Sequence, residues 1–180
     1  MKITVYCGST FGINAAFEEA AQALGREIAK AGYTLVYGGS SVGLMGVVSR
    51  AALEAGGIVE GVEPQFFIDA GVAQHDLSSL FVVETMSERK ALMIELGDVF
   101  VALPGGIGTL EEISEIMSRV RLGLGPDRCY VLNIGGFYEP FKDLLKAMVA
   151  QRFLDAADLE VFHFCESVEE LMGLIKSHSV

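Results

Sequence analysis

The chain has 180 residues, a length that suits one domain with its own core and argues against two independent catalytic domains. Hydrophobic residues make up 51% of the sequence and charged residues 21%, which excludes a disordered chain. The formal net charge of -11 disfavours nucleic acid polymers and anionic membrane surfaces as partners, because both repel a negatively charged protein. A small anion held by local donors is compatible with this charge.

The cysteines and the N-terminus indicate a reducing, cytoplasmic location. Cys7, Cys129 and Cys165 are far apart and form no Cys-x-x-Cys pair, so neither a disulfide framework nor a zinc site is indicated. The first residues turn to glycine and serine too early for the apolar core of an export signal. Residues 31–49 are uncharged, but their glycines favour a strand, a loop and a helix over a membrane span.

Short β-rich runs alternate with longer helical patterns along the whole chain. The predicted strands are 3–7, 34–37, 58–62, 80–84, 99–103, 129–134 and 161–164, and the predicted helices are 14–30, 43–55, 87–96, 109–121, 139–150 and 168–176. Residues 63–79 have weak periodicity, which indicates an irregular connection with one helical turn. This alternation predicts a single α/β domain over residues 1–180, with a doubly wound, mostly parallel sheet flanked by helices.

Ligands of such sheets bind beyond the carboxyl ends of the strands, where the strand order reverses. Four loops occupy such positions. The first, CGSTFG at 7–12, offers close backbone approach and the hydroxyl of Ser9, although short Gly-Ser turns after strands are common. The second, GGSSVGLMG at 38–46, includes Gly39 and Ser41. Its glycines either expose backbone N–H groups to an anion or allow tight packing of a helix on the sheet.

The third loop, MSERK at 86–90, places Arg89 and Lys90 near the start of a helix, where cations oppose the helix dipole. This position indicates an anion or carboxylate partner, and a solvated helix start is the alternative. If adjacent strands carry the third and fourth loops, Arg89 and Glu112 face each other across one crevice. That arrangement would form a charge pair inside a ligand site.

The fourth loop, PGGIGTLEE at 104–112, lies between an apolar strand and a helix. Pro104 stiffens the strand exit, and the three glycines permit conformations closed to other residues. The following helix N-terminus presents unpaired N–H groups and a positive dipole end, which would hold a phosphate. Thr109 and Glu112 also fit a capping box, in which both side chains only satisfy backbone donors.

Together these four segments resemble the LOG family, the cytokinin riboside 5'-monophosphate phosphoribohydrolases, which also carry an older label of possible lysine decarboxylase. PGGxGTxxE with an upstream Arg-Lys pair is the most specific part of the resemblance, which runs from the first strand to the helix around Ser118. It implies a Rossmann-like homodimer with its active site at the subunit interface. The implied reaction hydrolyses the N-glycosidic bond of AMP or N6-substituted AMP to free base and ribose 5-phosphate.

The resemblance also implies roles for particular residues. Arg89 and Glu112 would be the catalytic pair, and no metal or other cofactor would be required. The implied nucleotide contacts are Lys90, Gly106, Ile107, Gly108, Thr109, Leu110, Glu111 and Ser118. The glycine-rich loops add Ser9, Gly39, Ser41 and Gly105 as substrate-binding candidates. A carboxylate at Glu112 suits the reaction, because it can stabilise an oxocarbenium-like sugar and orient or deprotonate water.

Several positions depart from the common family pattern. Ser40 stands where a third glycine is common, and Ser87 stands where the family has histidine. Arg119 and Arg121 replace the Trp and Gln of many members. An acidic residue often found in the irregular connection has only Asp69 as a loose match. These departures leave the preferred base open.

Three other functions compete with the hydrolase. A non-catalytic nucleotide or cofactor carrier on the same fold would tolerate loss of Glu112, whereas an enzyme would not. Lysine decarboxylation needs a pyridoxal phosphate Schiff base, and the only lysine at the predicted site, Lys90, is better explained as a phosphate contact. An interaction module would leave the Gly, Arg and Glu residues at four strand ends unexplained.

Overall fold

The computed structural model describes residues 1–178. The strands are β1 (Lys2–Tyr6), β2 (Thr34–Tyr37), β3 (Ile58–Pro64), β4 (Ser79–Val83), β5 (Val99–Ala102), β6 (Cys129–Leu132) and β7 (Phe162–Cys165). The helices are α1 (Ala15–Lys30), α2 (Gly43–Glu54), α3 (Gln65–Asp69), α4 (Met86–Leu96), α5 (Ile107–Arg121), α6 (Glu139–Ala150), α7 (Ala156–Glu160) and α8 (Val168–His178). A short 3-10 turn covers Ile134–Gly136.

Within these residues the seven strands form one parallel sheet in the order β4-β3-β2-β1-β5-β6-β7. Apolar cores cover both faces, one with Leu24 of α1 and Val48 of α2, the other with Met93 of α4 and Ile113 of α5. A parallel sheet requires this double cover, because its strands are apolar on both sides. The predicted doubly wound α/β fold is confirmed. The strand order reverses between β1 and β5, which places the expected ligand crevice there.

Several predicted boundaries move in the structure. Helix α5 begins at Ile107 with Gly106 as its N-cap and no side-chain cap, so the predicted Thr109–Glu112 capping box is wrong. Capping boxes are instead present at the start of α4, where Thr85 and Glu88 satisfy each other's backbone N–H groups, and at the start of α7. The short helix α7 was not predicted. Its five residues are too few to show helical periodicity.

The weakly periodic connection folds back over the second loop. β3 continues through Glu63 and Pro64 before α3, so the strand is longer than predicted. The Gln74 N–H then donates to the Gly39 carbonyl, and Gln74 Oε1 accepts hydrogen bonds from Ser49 and Tyr37. These bonds hold the connection beside the carboxyl end of the sheet.

Residues 31–49 contain β2, the second loop and the start of α2, as predicted for this uncharged stretch. Between Met1 and His178, no helix combines the length and apolar character that crossing a membrane requires.

Candidate active site

A cavity of about 530 Å³ opens at the switch point between β1 and β5, within the size range of small-molecule sites. The first and fourth loops meet at its floor, where the Gly8 N–H donates to the Pro104 carbonyl over 3.1 Å. Nine of the predicted site residues line it: Ser9, Arg89, Lys90, Gly106, Ile107, Gly108, Thr109, Glu111 and Glu112. The remaining five, Gly39, Ser41, Gly105, Leu110 and Ser118, are outside the lining.

The glycines of the second loop serve packing. The Leu44 and Met45 N–H groups at the start of α2 donate to the Gly8 carbonyl over 3.0 and 3.4 Å, so they do not face an anion. Gly43 has a φ of +58°, and a Cβ there would lie 2.2 Å from the Ser9 carbonyl carbon. Ser41 is turned away, and its hydroxyl donates to the Val72 carbonyl. Of the two roles left open by the sequence, the structure supports tight packing.

The N-terminus of α5 faces the cavity. As in any helix, its first N–H groups have no acceptor within the helix, and Gly106 at the N-cap supplies no side chain to bind them. A Cβ at Gly106 or Gly108 would have no neighbour within 4 Å, so this stretch of backbone borders open space. Unpaired N–H groups and the positive end of the helix dipole together suit a phosphate.

Arg89 and Glu112 form a buried ion pair in the lining of the cavity. Arg89 Nη1 lies 3.6 Å from Glu112 Oε1, and the side chains are only 9% and 11% exposed. Two backbone carbonyls hold the guanidinium in place: Nε donates to Val62 and Nη2 donates to Gly38. The guanidinium is therefore fixed, and Nη1 points toward the carboxylate.

Arg89 and Glu112 meet even though β4 and β5 are not neighbours. The prediction that they face each other assumed that adjacent strands carry the third and fourth loops, and that assumption is wrong. Three strands, β3, β2 and β1, separate β4 from β5. Helix α4 instead lies across the sheet, where its Met93 carbonyl accepts a hydrogen bond from Thr4 of β1. Arg89, one turn into α4, thus extends over the ends of β3 and β2 toward Glu112.

Burial changes the pKa values of two groups that line the cavity. It raises the pKa of Glu112 to about 7, although the Arg89 guanidinium beside it acts in the opposite direction. Glu112 can therefore exchange a proton near neutral pH, as a general base must. Burial also raises the pKa of the Cys7 thiol far above its ordinary value, so this cavity-lining group stays a neutral thiol rather than a nucleophile.

Lys90 lies at the rim of the cavity between two acidic residues of α5. Its Nζ lies 2.6 Å from Glu111 Oε1 and 3.4 Å from Glu115 Oε2. The hydrogen bond with Glu111 raises the pKa of Lys90, so the amine stays protonated. A protonated amine can bind a phosphate, but it cannot attack a carbonyl to form a Schiff base.

Sequence reasoning missed one acidic residue of the cavity, Glu63. This side chain lies at the carboxyl end of β3, is 1% exposed and lines the cavity. The prediction ended the strand at Val62 and left Glu63 in the irregular connection. Asp69, the loose candidate for the missing acid, is exposed and accepts a hydrogen bond from Gln65 outside the cavity lining. The sequence signal that could have identified Glu63 is its position at a strand end, as an acidic residue directly before Pro64.

The residues between Met1 and His178 include no group of three His, Cys, Asp or Glu side chains placed to hold a metal ion. The polar groups that converge on the cavity are instead backbone N–H groups, Arg89, Lys90 and carboxyl groups. Together, the fold and site define an α/β domain with an uncapped helix N-terminus and a buried Arg–Glu pair at its switch point.

Comparison with known proteins assigns the family. A family model described as "possible lysine decarboxylase" matches residues 45–175. The cytokinin riboside 5'-monophosphate phosphoribohydrolase of Rhodococcoides fascians is 40% identical over 176 residues, which cover 97% of this chain and 89% of that protein. The corresponding LOG protein of Oryza sativa subsp. japonica is 42% identical over 85% of this chain and 63% of its own length. The chain belongs to the LOG family, as its motifs indicated.

Solved structures agree with the fold. The molybdenum cofactor binding protein of Rippkaea orientalis superposes with a TM-score of 0.75 at 22% identity, covering 99% of this chain and 97% of that one. The Moco carrier protein of Chlamydomonas reinhardtii superposes with a TM-score of 0.72 at 22% identity, covering 98% and 95%. At this identity the likeness concerns the fold alone.

Proposed function

We propose that this protein hydrolyses the N-glycosidic bond of AMP or N6-substituted AMP, releasing the free base and ribose 5-phosphate. The observation that carries the proposal is the buried Arg89–Glu112 pair, which lies in one cavity with the open N-terminus of α5. The relatives at 40% and 42% identity carry the name of this activity. The charge pair and the anion site match the two parts of such a substrate, its reacting sugar and its phosphate.

The phosphate binds the first turn of α5, where Gly106 and Gly108 leave the backbone N–H groups accessible. Lys90 adds a cation at the rim and releases Glu111 or Glu115 to do so. Anchoring the phosphate fixes the sugar relative to Glu112, so remote binding energy supports the reacting centre.

Glu112 acts on the sugar and on water. As the bond from C1' to the base nitrogen lengthens, positive charge develops on the ribose, and the Glu112 carboxylate stabilises it. The same carboxylate orients a water molecule and accepts its proton as the new C1'–O bond forms. Arg89 favours the ionised form of Glu112, and its two backbone hydrogen bonds keep it in position throughout.

Two other functions are less well supported. A cofactor carrier matches the titles of the structural neighbours, but those neighbours share only 22% of their sequence with this chain. A carrier would also gain nothing from a buried carboxylate at Glu112, which costs desolvation energy. Lysine decarboxylation through a Schiff base is disfavoured by the ion pairs that keep Lys90 protonated.

The proposal includes a cytoplasmic homodimer. Three buried cysteine thiols without disulfides accord with a reducing compartment. Ile13 and Ile107 are 106% and 81% exposed, and Ile107 lies at the cavity. A second copy packed over Ile107 at the cavity would cover an exposed apolar side chain there. Light scattering after size-exclusion chromatography tests the assembly, and a mass of one chain at micromolar concentration would contradict it.

The activity is tested by incubating purified protein with AMP and N6-isopentenyl-AMP and following free base and ribose 5-phosphate by chromatography. Wild type should release both products. Glu112→Gln should lose about 10²- to 10⁴-fold in rate, the usual contribution of a positioned general base. The matched control is Glu60→Gln, because Glu60 lies on β3, outside the cavity lining, and pairs with Lys2. Saturable nucleotide binding without base release would favour the carrier instead.

A further inference from the structure

The second buried acid of the cavity, Glu63, has no part in the mechanism so far. Its side chain is 1% exposed, and its Oε2 atom has no hydrogen-bond partner among the described residues. An ionised carboxylate is destabilised when one of its oxygens is shut off from water and from donors, whereas a protonated carboxyl group tolerates such a site. The surroundings of Glu63 therefore favour its neutral, proton-bearing form.

Arg89 is close but does not neutralise Glu63 by direct contact. Its Nε and Nη2 donors are taken by the Val62 and Gly38 carbonyls, and Nη1 faces Glu112. The two carboxyl groups of the cavity consequently differ. Glu112 has a guanidinium contact that favours ionisation, whereas Glu63 has none within ion-pair distance.

The position of the Glu63 side chain is fixed by the second loop. A Cβ on Gly39 would lie 2.9 Å from Glu63 Cβ and 3.0 Å from its Oε2, so the carboxyl group packs directly on the bare Gly39 backbone. The other titratable groups near Glu63 are Arg89 of α4 and Tyr37 of β2, while Glu112 lies across the cavity. Burial raises the pKa of Glu63 to about 7, with Arg89 acting in the opposite direction.

The two acids enter the cavity from different sides. Glu63 ends β3, whereas Glu112 lies on the helix that follows β5, and β2 and β1 run between those strands. Three strand spacings correspond to about 14 Å at the level of the sheet. Both carboxyl groups line the same cavity of about 530 Å³, so a nucleotide bound there meets an acid on one side and a base on the other, as in hydrolases that pair the two.

We propose, on the basis of the hydrolase function above, that Glu63 is the general acid that protonates a ring nitrogen of the leaving base. In this step the C1'–N bond breaks, and its electron pair stays on the base, which takes the proton of the Glu63 carboxyl group. Water adds to C1' and gives its proton to Glu112. Glu63 ends the step ionised and Glu112 protonated, and exchange with solvent restores both.

The test compares two leaving groups. AMP releases a base that must be protonated, whereas p-nitrophenyl β-D-ribofuranoside 5-phosphate releases a phenolate that is stable without a proton. Glu63→Gln should lower kcat/KM for AMP by about 10²-fold or more and leave the p-nitrophenyl substrate nearly unaffected. Glu112→Gln should impair both substrates, and Glu60→Gln, on the same strand, should impair neither.

The pH profile of the wild type gives a second readout that needs no variant. AMP hydrolysis should decline above an apparent pKa near 7 as Glu63 loses its proton, and hydrolysis of the p-nitrophenyl substrate should not. An equal effect of Glu63→Gln on both substrates, or identical alkaline limbs, would overturn the role of Glu63 while leaving the hydrolase intact. A wild type that cleaves neither substrate would overturn the proposed function, and the role of Glu63 with it.

Discussion

Replacing Gly38 by alanine should disable the Arg89–Glu112 pair without unfolding the protein. A Cβ at position 38 would lie 1.7 Å from Arg89 Nη2 and 2.8 Å from its Cζ. Gly38 is not among the glycines with positive φ in residues 1–178, so alanine meets no backbone strain there. The clash is thus with side-chain atoms rather than backbone, chiefly the Arg89 guanidinium, with Met45 Sδ also close at 3.0 Å, so the guanidinium must leave its present position.

The required movement follows from these distances. Ordinary contact needs about 3.5 Å, so Nη2 must withdraw by roughly 1.8 Å. That displacement breaks the hydrogen bond to the Gly38 carbonyl and shifts Nη1 away from Glu112. A misplacement of about 1 Å can cost 10²-fold in rate, or about 2.7 kcal/mol of transition-state stabilisation. The lost hydrogen bond should cost only about 1–3 kcal/mol of folding stability.

The assay measures kcat/KM for AMP together with urea unfolding. We expect Gly38→Ala to lose about 10²-fold in kcat/KM while it unfolds cooperatively. Gly173→Ala is the matched control, because Gly173 lies on an exposed face of α8 with no atom near a built Cβ. Wild-type activity in a folded Gly38→Ala variant would show that the position of the Arg89 guanidinium does not matter.

Two further predictions concern stability. Gly43 and Gly56 both have positive φ, but only a Cβ at Gly43 would clash, at 2.2 Å from Ser9. Gly56→Ala should therefore lower the free energy of unfolding by about 1–2 kcal/mol, and Gly43→Ala should lower it by at least about 2 kcal/mol more. Equal losses for the two variants in urea unfolding would contradict the packing role of Gly43. Glu63→Gln should become more stable relative to wild type as pH rises from 4.5 to 8. The folded state raises the pKa of Glu63 from 4.5 to about 7. The free energy of unfolding of the wild type therefore falls by about 3 kcal/mol across this pH interval. A pH-independent difference in the free energy of unfolding would refute that reasoning.

The sequence alone determined the class of fold and the four loops that line the candidate site. Alternating β-rich and helical patterns are local properties, so they predicted the order of elements and the doubly wound sheet. The PGGIGTLEE motif and the Arg89–Lys90 pair are also local, and nine of the fourteen predicted site residues do line the cavity. Parallel strands place their carboxyl ends together, which made these loops candidates before any contact was known.

Only the tertiary structure decided how those parts meet. Strand order and the path of α4 depend on packing between distant segments, and they bring Arg89 to Glu112 even though β4 and β5 are not neighbours. The same packing turns the amides of the second loop toward Gly8 rather than a ligand. It also encloses Glu63 without a hydrogen-bond partner for Oε2 among residues 1–178. Burial and orphaned polar atoms arise from long-range contacts, and no local pattern in the sequence records them.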